Sequence, residues 1–169
     1  MQLKIFAGLA ALALAAPAVE ALQNSVAHLS CSTGLNGTFA FTMLADYHTI
    51  VSANFTGLPR REKYSYFVNQ YPVPADGDCS KTGGLFDPYG AYTNPRTYRC
   101  KPGAPAKCAI GDLTGRSGEV LKGNRMHGNA VVSDFDVISS DGPFYFRGRS
   151  VVLFNSHQRL VACGNIVAA

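Results

Sequence analysis

The sequence predicts an all-β protein, an antiparallel sandwich or barrel of short strands joined by long loops. Three observations carry this reading. Apolar and polar residues alternate with a period of two in several segments, which suits half-buried strands. Gly and Pro, 17 and 9 of them in 169 residues, punctuate the chain with turn signals. No segment beyond residue 21 shows a good amphipathic helical pattern.

Taken in order, segment 38–43 alternates as Thr-Phe-Ala-Phe-Thr-Met. Segment 49–55 is rich in β-formers and ends at the turn signal Gly57-Leu58-Pro59. Segments 64–68, 129–137, 149–154 and 160–163 complete the expected strands. Residues 72–118 form a long irregular stretch rich in Gly, Pro and Tyr. A loop of that length inside one domain is usually functional. Short strands at near-regular spacing favour a sandwich or barrel.

Hydrophobic residues make up 47% and charged residues 15%, so extended disorder is excluded and one sizeable core is expected. The net charge of +4 and the absence of any Lys/Arg run beyond Arg60-Arg61 exclude a nucleic-acid binder. Residues 1–21 read as a secretory signal peptide. Lys4 precedes about a dozen apolar residues, and Val19-Glu20-Ala21 fits the small-residue cleavage rule. That apolar run is too short to span a bilayer comfortably. One domain, 22–169, is expected to follow, secreted, with no membrane span. Val167-Ala168-Ala169 is too short for a lipid-anchor signal.

Export agrees with two sequons, Asn36-Gly37-Thr38 and Asn54-Phe55-Thr56. It also agrees with five cysteines past the leader: Cys31, Cys79, Cys100, Cys108 and Cys163. In an oxidising compartment these should pair and leave one over. Cys100 and Cys108 flank the turn-forming Pro102-Gly103-Ala104-Pro105, which brings them together. Their irregular spacing disfavours a zinc ribbon.

Four motifs in order resemble the copper/zinc superoxide dismutase family. The run from Gly77 through Cys79 to Asp87-Pro88 resembles its disulfide loop. Gly111-Asp112-Leu113-Thr114-Gly115 resembles its Gly-Asp-Leu-Ser-Gly loop. Gly148-Arg149-Ser150 and Ala162-Cys163-Gly164-Asn165 resemble its last strands. Tyr71-Pro72-Val73-Pro74 is similar to a segment of the extracellular copper-only fungal members. The resemblance covers about residues 38–166 and implies a Greek-key β-sandwich. It implies a Cys79–Cys163 bridge and leaves Cys31 odd.

The family holds copper with imidazoles, and the resemblance carries its four ligand positions to Phe67, Asn69, Leu85 and Phe154. None is histidine, and Phe and Leu cannot ligate a metal. Three apolar side chains are expected to pack together, fill the site and exclude water. Asp112 matches a zinc-ligand position, but Ala109 three residues earlier offers no donor. The family arginine falls at Leu160, with Arg159 one residue displaced. Such a slip turns a side chain to the other face unless a bulge restores it.

The histidines, His28, His48, His127 and His157, do not pair at ligand spacing and read as surface residues. A copper site built from His157 and His48 is unmotivated. Asp134-Phe135-Asp136 reads as a solvated face, with a weak hard-cation site as the sharper alternative. No Gly-rich phosphate loop or nucleophile elbow is present. Tyr89, Tyr92 and Tyr98, with Arg96 and Arg99, are expected to pack the long loop or to offer an aromatic, cationic surface.

The sequence therefore predicts a secreted, superoxide dismutase-like protein with no expected cofactor. Its role would be binding, with cell-wall carbohydrate or a protein as candidate partners. The alternative is a copper-dependent superoxide dismutase with non-standard ligands.

Overall fold

The computed structural model describes residues 24–30, 34–44, 49–118, 120–122, 127–132 (backbone) and 145–169. The expected leader, Cys31, His48, Asp134 and Asp136 lie outside them. The described strands are β1 (Ser25–Ser30), β2 (Asn36–Met43), β3 (Thr49–Thr56), β4 (Lys63–Asn69), β5 (Leu121–Lys122), β6 (His127–Val132), β7 (Ser150–Asn155) and β8 (Leu160–Ala168). They form one antiparallel sheet in the order β5-β4-β7-β8-β1-β2-β3-β6. The sheet curls as a half-barrel, and α1 (Leu113–Ser117) packs against both β4 and β6, near its two ends.

The alternation read from the sequence faces the expected way. Phe39 and Phe41 of β2, Val51 and Phe55 of β3, and Tyr64, Tyr66 and Val68 of β4 are buried in one core. Phe39 lies edge-on to Phe55 and tilted against Tyr66, at centroid distances of 5.3 and 5.2 Å. β1 has no counterpart among the expected strands. Its inward residues begin with Ser25 and Ala27, too small and polar to mark an apolar face. The rest of the expected strand 129–137, beyond Val132, lies outside the described residues. The short α1 also escaped a reading by period, since five residues cannot show one.

β4 sits near an edge, paired to β7 along its length but to β5 only at Lys63 and Tyr64. Its remaining outward backbone groups are taken by loops. Val68 N–H donates to Gly111 O at 2.8 Å, and Phe86 N–H to Val68 O at 2.9 Å. Tyr66 N–H donates to Thr114 Oγ1 at 2.7 Å, and that hydroxyl returns a bond to Tyr66 O at 3.1 Å. Gln70 and Tyr71 N–H donate to Gly84 and Thr82 carbonyls. Gly111 is required here because a Cβ would collide with the Val68 and Phe86 carbonyl oxygens.

Two disulfides tie these loops down, Cys79–Cys163 and Cys100–Cys108. They are the pairs that the resemblance and the turn insert imply. The first joins residues 84 apart, from the loop to β8. Cross-linking a loop of that length contributes about 4–5 kcal/mol by restricting the unfolded chain. Replacing both Cys79 and Cys163 by Ser should lower unfolding free energy by about that amount in chemical denaturation. An unchanged midpoint would show that the bridge is not formed.

Candidate functional site

Period two places Phe67 and Asn69 on the outer face of β4, opposite the core-facing Tyr66 and Val68. On β7, Val151 and Leu153 are in the core cluster, so Phe154 points to the outer face. Its ring meets Phe67 edge to face at 5.8 Å between centroids. Leu85 comes from the disulfide loop and forms an isolated antiparallel bridge opposite Asn69. The four positions carried over from the family are thus brought together. They do not fill the site as expected. An open cleft of about 550 Å³ lies over them, lined also by Gly83, Gly84, Tyr92, Tyr98, Asp112, Thr114, Gly115 and Gln158. The physical reason is the loop: its backbone bonds hold it alongside the β4 edge, with Leu85 beside Asn69.

Asn69 is 8% exposed, and its amide nitrogen donates to Thr82 Oγ1 at 2.8 Å and to Gly83 O at 3.0 Å. Thr82 Oγ1 in turn donates to Cys79 O at 2.8 Å. This residue therefore ties β4 to the disulfide loop. Asp112, also buried, caps α1: its Oδ1 accepts from Gly115 N–H at 2.8 Å. Its Oδ2 accepts from the Tyr98 hydroxyl at 2.8 Å, and that hydroxyl accepts from Ala109 N–H at 3.0 Å. Burial first, and then Asp112, hold the Tyr98 phenol well above its ordinary value. Burial likewise lowers the guanidinium of Arg116, which donates to Cys108 O at 3.4 Å.

Of the loop aromatics, Tyr92 and Tyr98 meet edge to face at 4.8 Å and line the cleft, while Tyr89 stays exposed. The Arg99 guanidinium turns back to the carbonyls of Arg96 and Tyr98. The bulge considered for β8 is present: Leu153 pairs with Ala162 but Phe154 with Leu160. It does not bring Arg159 to the cleft. Arg159 is exposed, and Gln158, in a left-handed turn conformation at φ 59°, borders the cleft instead. Neither Gln158 nor the Thr114 contact was readable from the sequence, because both arise from a turn and an edge pairing. His28 sits exposed beside Thr38 Oγ1, and His157 lies exposed in the β7–β8 turn. Among the described residues no three His, Cys, Asp or Glu side chains group to hold a metal ion.

A curled antiparallel sheet carrying these four positions beside a disulfide-anchored loop has the superoxide dismutase-like fold. The chain is a homologue of the fungal cell-surface copper-only and copper-zinc superoxide dismutases. Cell surface superoxide dismutase (Cu-Zn) 4 of Candida albicans is 30% identical over 141 residues, 78% of this chain and 53% of the relative. Cell surface Cu-only superoxide dismutase 5 of the same organism is 27% identical, over 79% of this chain and 55% of the relative. The chain spans about half the length of these curated relatives. The solved structure of Candida albicans superoxide dismutase 5 with Cu(II) matches at a TM-score of 0.71 and 25% identity, covering 88% of this chain and 94% of that one. No protein-family model matches.

Copper would need several nitrogen donors around an open position. Phe67, Leu85 and Phe154 provide none, and Asn69 offers only a neutral amide oxygen, since its amide nitrogen is a hydrogen-bond donor and no metal ligand. This donor set does not fit copper.

Above pH 10, the ordinary value, an unfolded tyrosine ionises while folded Tyr98 keeps its proton. Folding stability is therefore full below pH 10 and falls as pH rises beyond it. Tyr98→Phe should flatten that decline in denaturation curves taken across this range. Identical slopes for the two proteins would refute the half-buried, Asp112-bonded phenol.

Proposed function

We propose that this chain is an extracellular superoxide dismutase-like binding protein that has lost its copper and zinc sites and does not dismutate superoxide. The observation that carries the reading is the side-chain chemistry at the four positions: two phenyl rings, one isobutyl group and one amide already bonded. Dismutation needs one metal that alternately accepts and donates an electron, held by several donors. The mechanical role of such a metal, cross-linking β4, the loop and β7, falls here to other contacts. These are the Asn69 hydrogen bonds, the Asn69–Leu85 bridge and the Phe67–Phe154 ring pair. The cell-surface relatives support a place outside the cell.

Purified secreted protein should contain no stoichiometric copper by elemental analysis and should remove superoxide no faster than buffer. About one copper per chain with rapid dismutation would overturn the reading. Restoring imidazoles with Phe67→His, Asn69→His, Leu85→His and Phe154→His together should create copper affinity. The same change should lower the metal-free stability, since two buried amide hydrogen bonds and an aromatic pair are removed.

Asn36 and Asn54 are both exposed, on neighbouring strands β2 and β3. Each shares its face with the Thr two residues on, so sugar at either can project from the sheet's outer side. Glycosidase treatment of the secreted protein should increase its mobility. Single Asn36→Gln and Asn54→Gln variants should each remove part of that shift, and no shift in any form would reject modification.

A further inference from the structure

We propose that the cleft over Phe67 and Phe154 binds a small, neutral, hydroxylated aromatic molecule. The inference deepens the proposed binding role and rests on it. A concavity of about 550 Å³ is of the size that encloses small molecules rather than macromolecules. Its walls carry two edge-to-face aromatic pairs, Phe67–Phe154 and Tyr92–Tyr98, with Leu85 between strand and loop. Such walls favour another ring, which can add edge or face contacts at each pair.

One polar feature sets the orientation. The Gly83 carbonyl can only accept, so the Asn69 amide nitrogen must face it. That leaves Asn69 Oδ1, on a side chain more than nine-tenths buried, with no hydrogen bond from any described residue. That oxygen is not sealed from solvent, and a ligand hydroxyl in the cleft can take the place of water on it.

Charge narrows the class further. No Lys or Arg lines the cleft, so an anionic ligand meets no counter-charge and is opposed by Asp112. Both Asp112 oxygens are engaged, by Tyr98 and by Gly115, which weakens their pull on a cation. A sugar would bring many hydroxyls to walls that are mostly hydrocarbon, and each buried without a partner is unfavourable. A phenol brings one ring and one donor, which matches.

The test is calorimetric titration of the purified secreted protein near neutral pH with 2-naphthol, naphthalene, 2-naphthoate, a naphthylmethylammonium salt and a glucose disaccharide. The naphthol should bind about tenfold more tightly than naphthalene, the factor one hydrogen bond supplies, and more tightly than the other three. Leu85→Trp, which fills the cleft and leaves the Asn69 bonds intact, should abolish binding. Phe154→Ala should weaken it about tenfold. Thermal unfolding of each variant checks that it folds. Equal affinity for naphthol and naphthalene, tighter binding of the naphthoate, the ammonium or the disaccharide, or binding that survives Leu85→Trp in a folded protein would overturn the proposal. Metal analysis of the same sample separates the two readings. Copper at one per chain defeats the binding-protein reading, whereas absent copper with no naphthol binding defeats this inference alone.

Discussion

The unpaired edge of β4 is the constraint on which the rest of the architecture rests. β5 covers it only at Lys63 and Tyr64, so the N–H and C=O groups from Tyr66 to Tyr71 need partners from elsewhere. Leaving such groups buried and unbonded costs more than most single contacts return. Loop segments from 82–86 and 111–114 meet the need. In doing so they place Leu85 opposite Asn69 and bring Asp112 and Thr114 beside the same cleft. Edge satisfaction and site construction are the same set of hydrogen bonds.

The loop is held at its other end as well. Arg149 stacks on Phe86 at 3.6 Å and donates to the Gln70 and Tyr145 carbonyls. Ser150 donates to Tyr71 O, and the Asn165 side chain bonds both the N–H and the C=O of Val73. Gly164 lets β8 approach β1, since a Cβ there would strike the His28 carbonyl. Together with Cys79–Cys163 these contacts fix the loop.

The side chains at positions 67, 69, 85 and 154 decide what the site offers. Imidazoles at these positions would focus on one ion, whereas phenyl rings beside the loop make an apolar recess. The loop beside the recess is held at the β4 edge by backbone bonds and by the Asn69 side chain. Asp112 has a structural task. It caps α1 and tethers Tyr98, and so shapes one wall.

Strand alternation determined by itself which face of β2 is buried, because a period of two leaves no other choice once one face is apolar, whereas β7 is buried without a break from Ser150 to Leu153. The motif spacing likewise determined the chemistry at positions 67, 69, 85 and 154. Hydrocarbon side chains remain non-ligands in any fold. Residue type and spacing also sufficed for the Cys100–Cys108 turn. What only the tertiary structure decided depends on long-range backbone pairing. β1, with Ala27 and Ser25 facing inward, is a strand because β2 and β8 lie on either side of it. The bulge at Phe154 and Leu160 was open in the sequence, and the β7–β8 turn resolved it by placing Gln158, not Arg159, at the cleft. Whether Phe67, Leu85 and Phe154 close the site or merely floor it was not written in their identities. The course of the loop sets that, and the hydrogen bonds along β4's edge set its course.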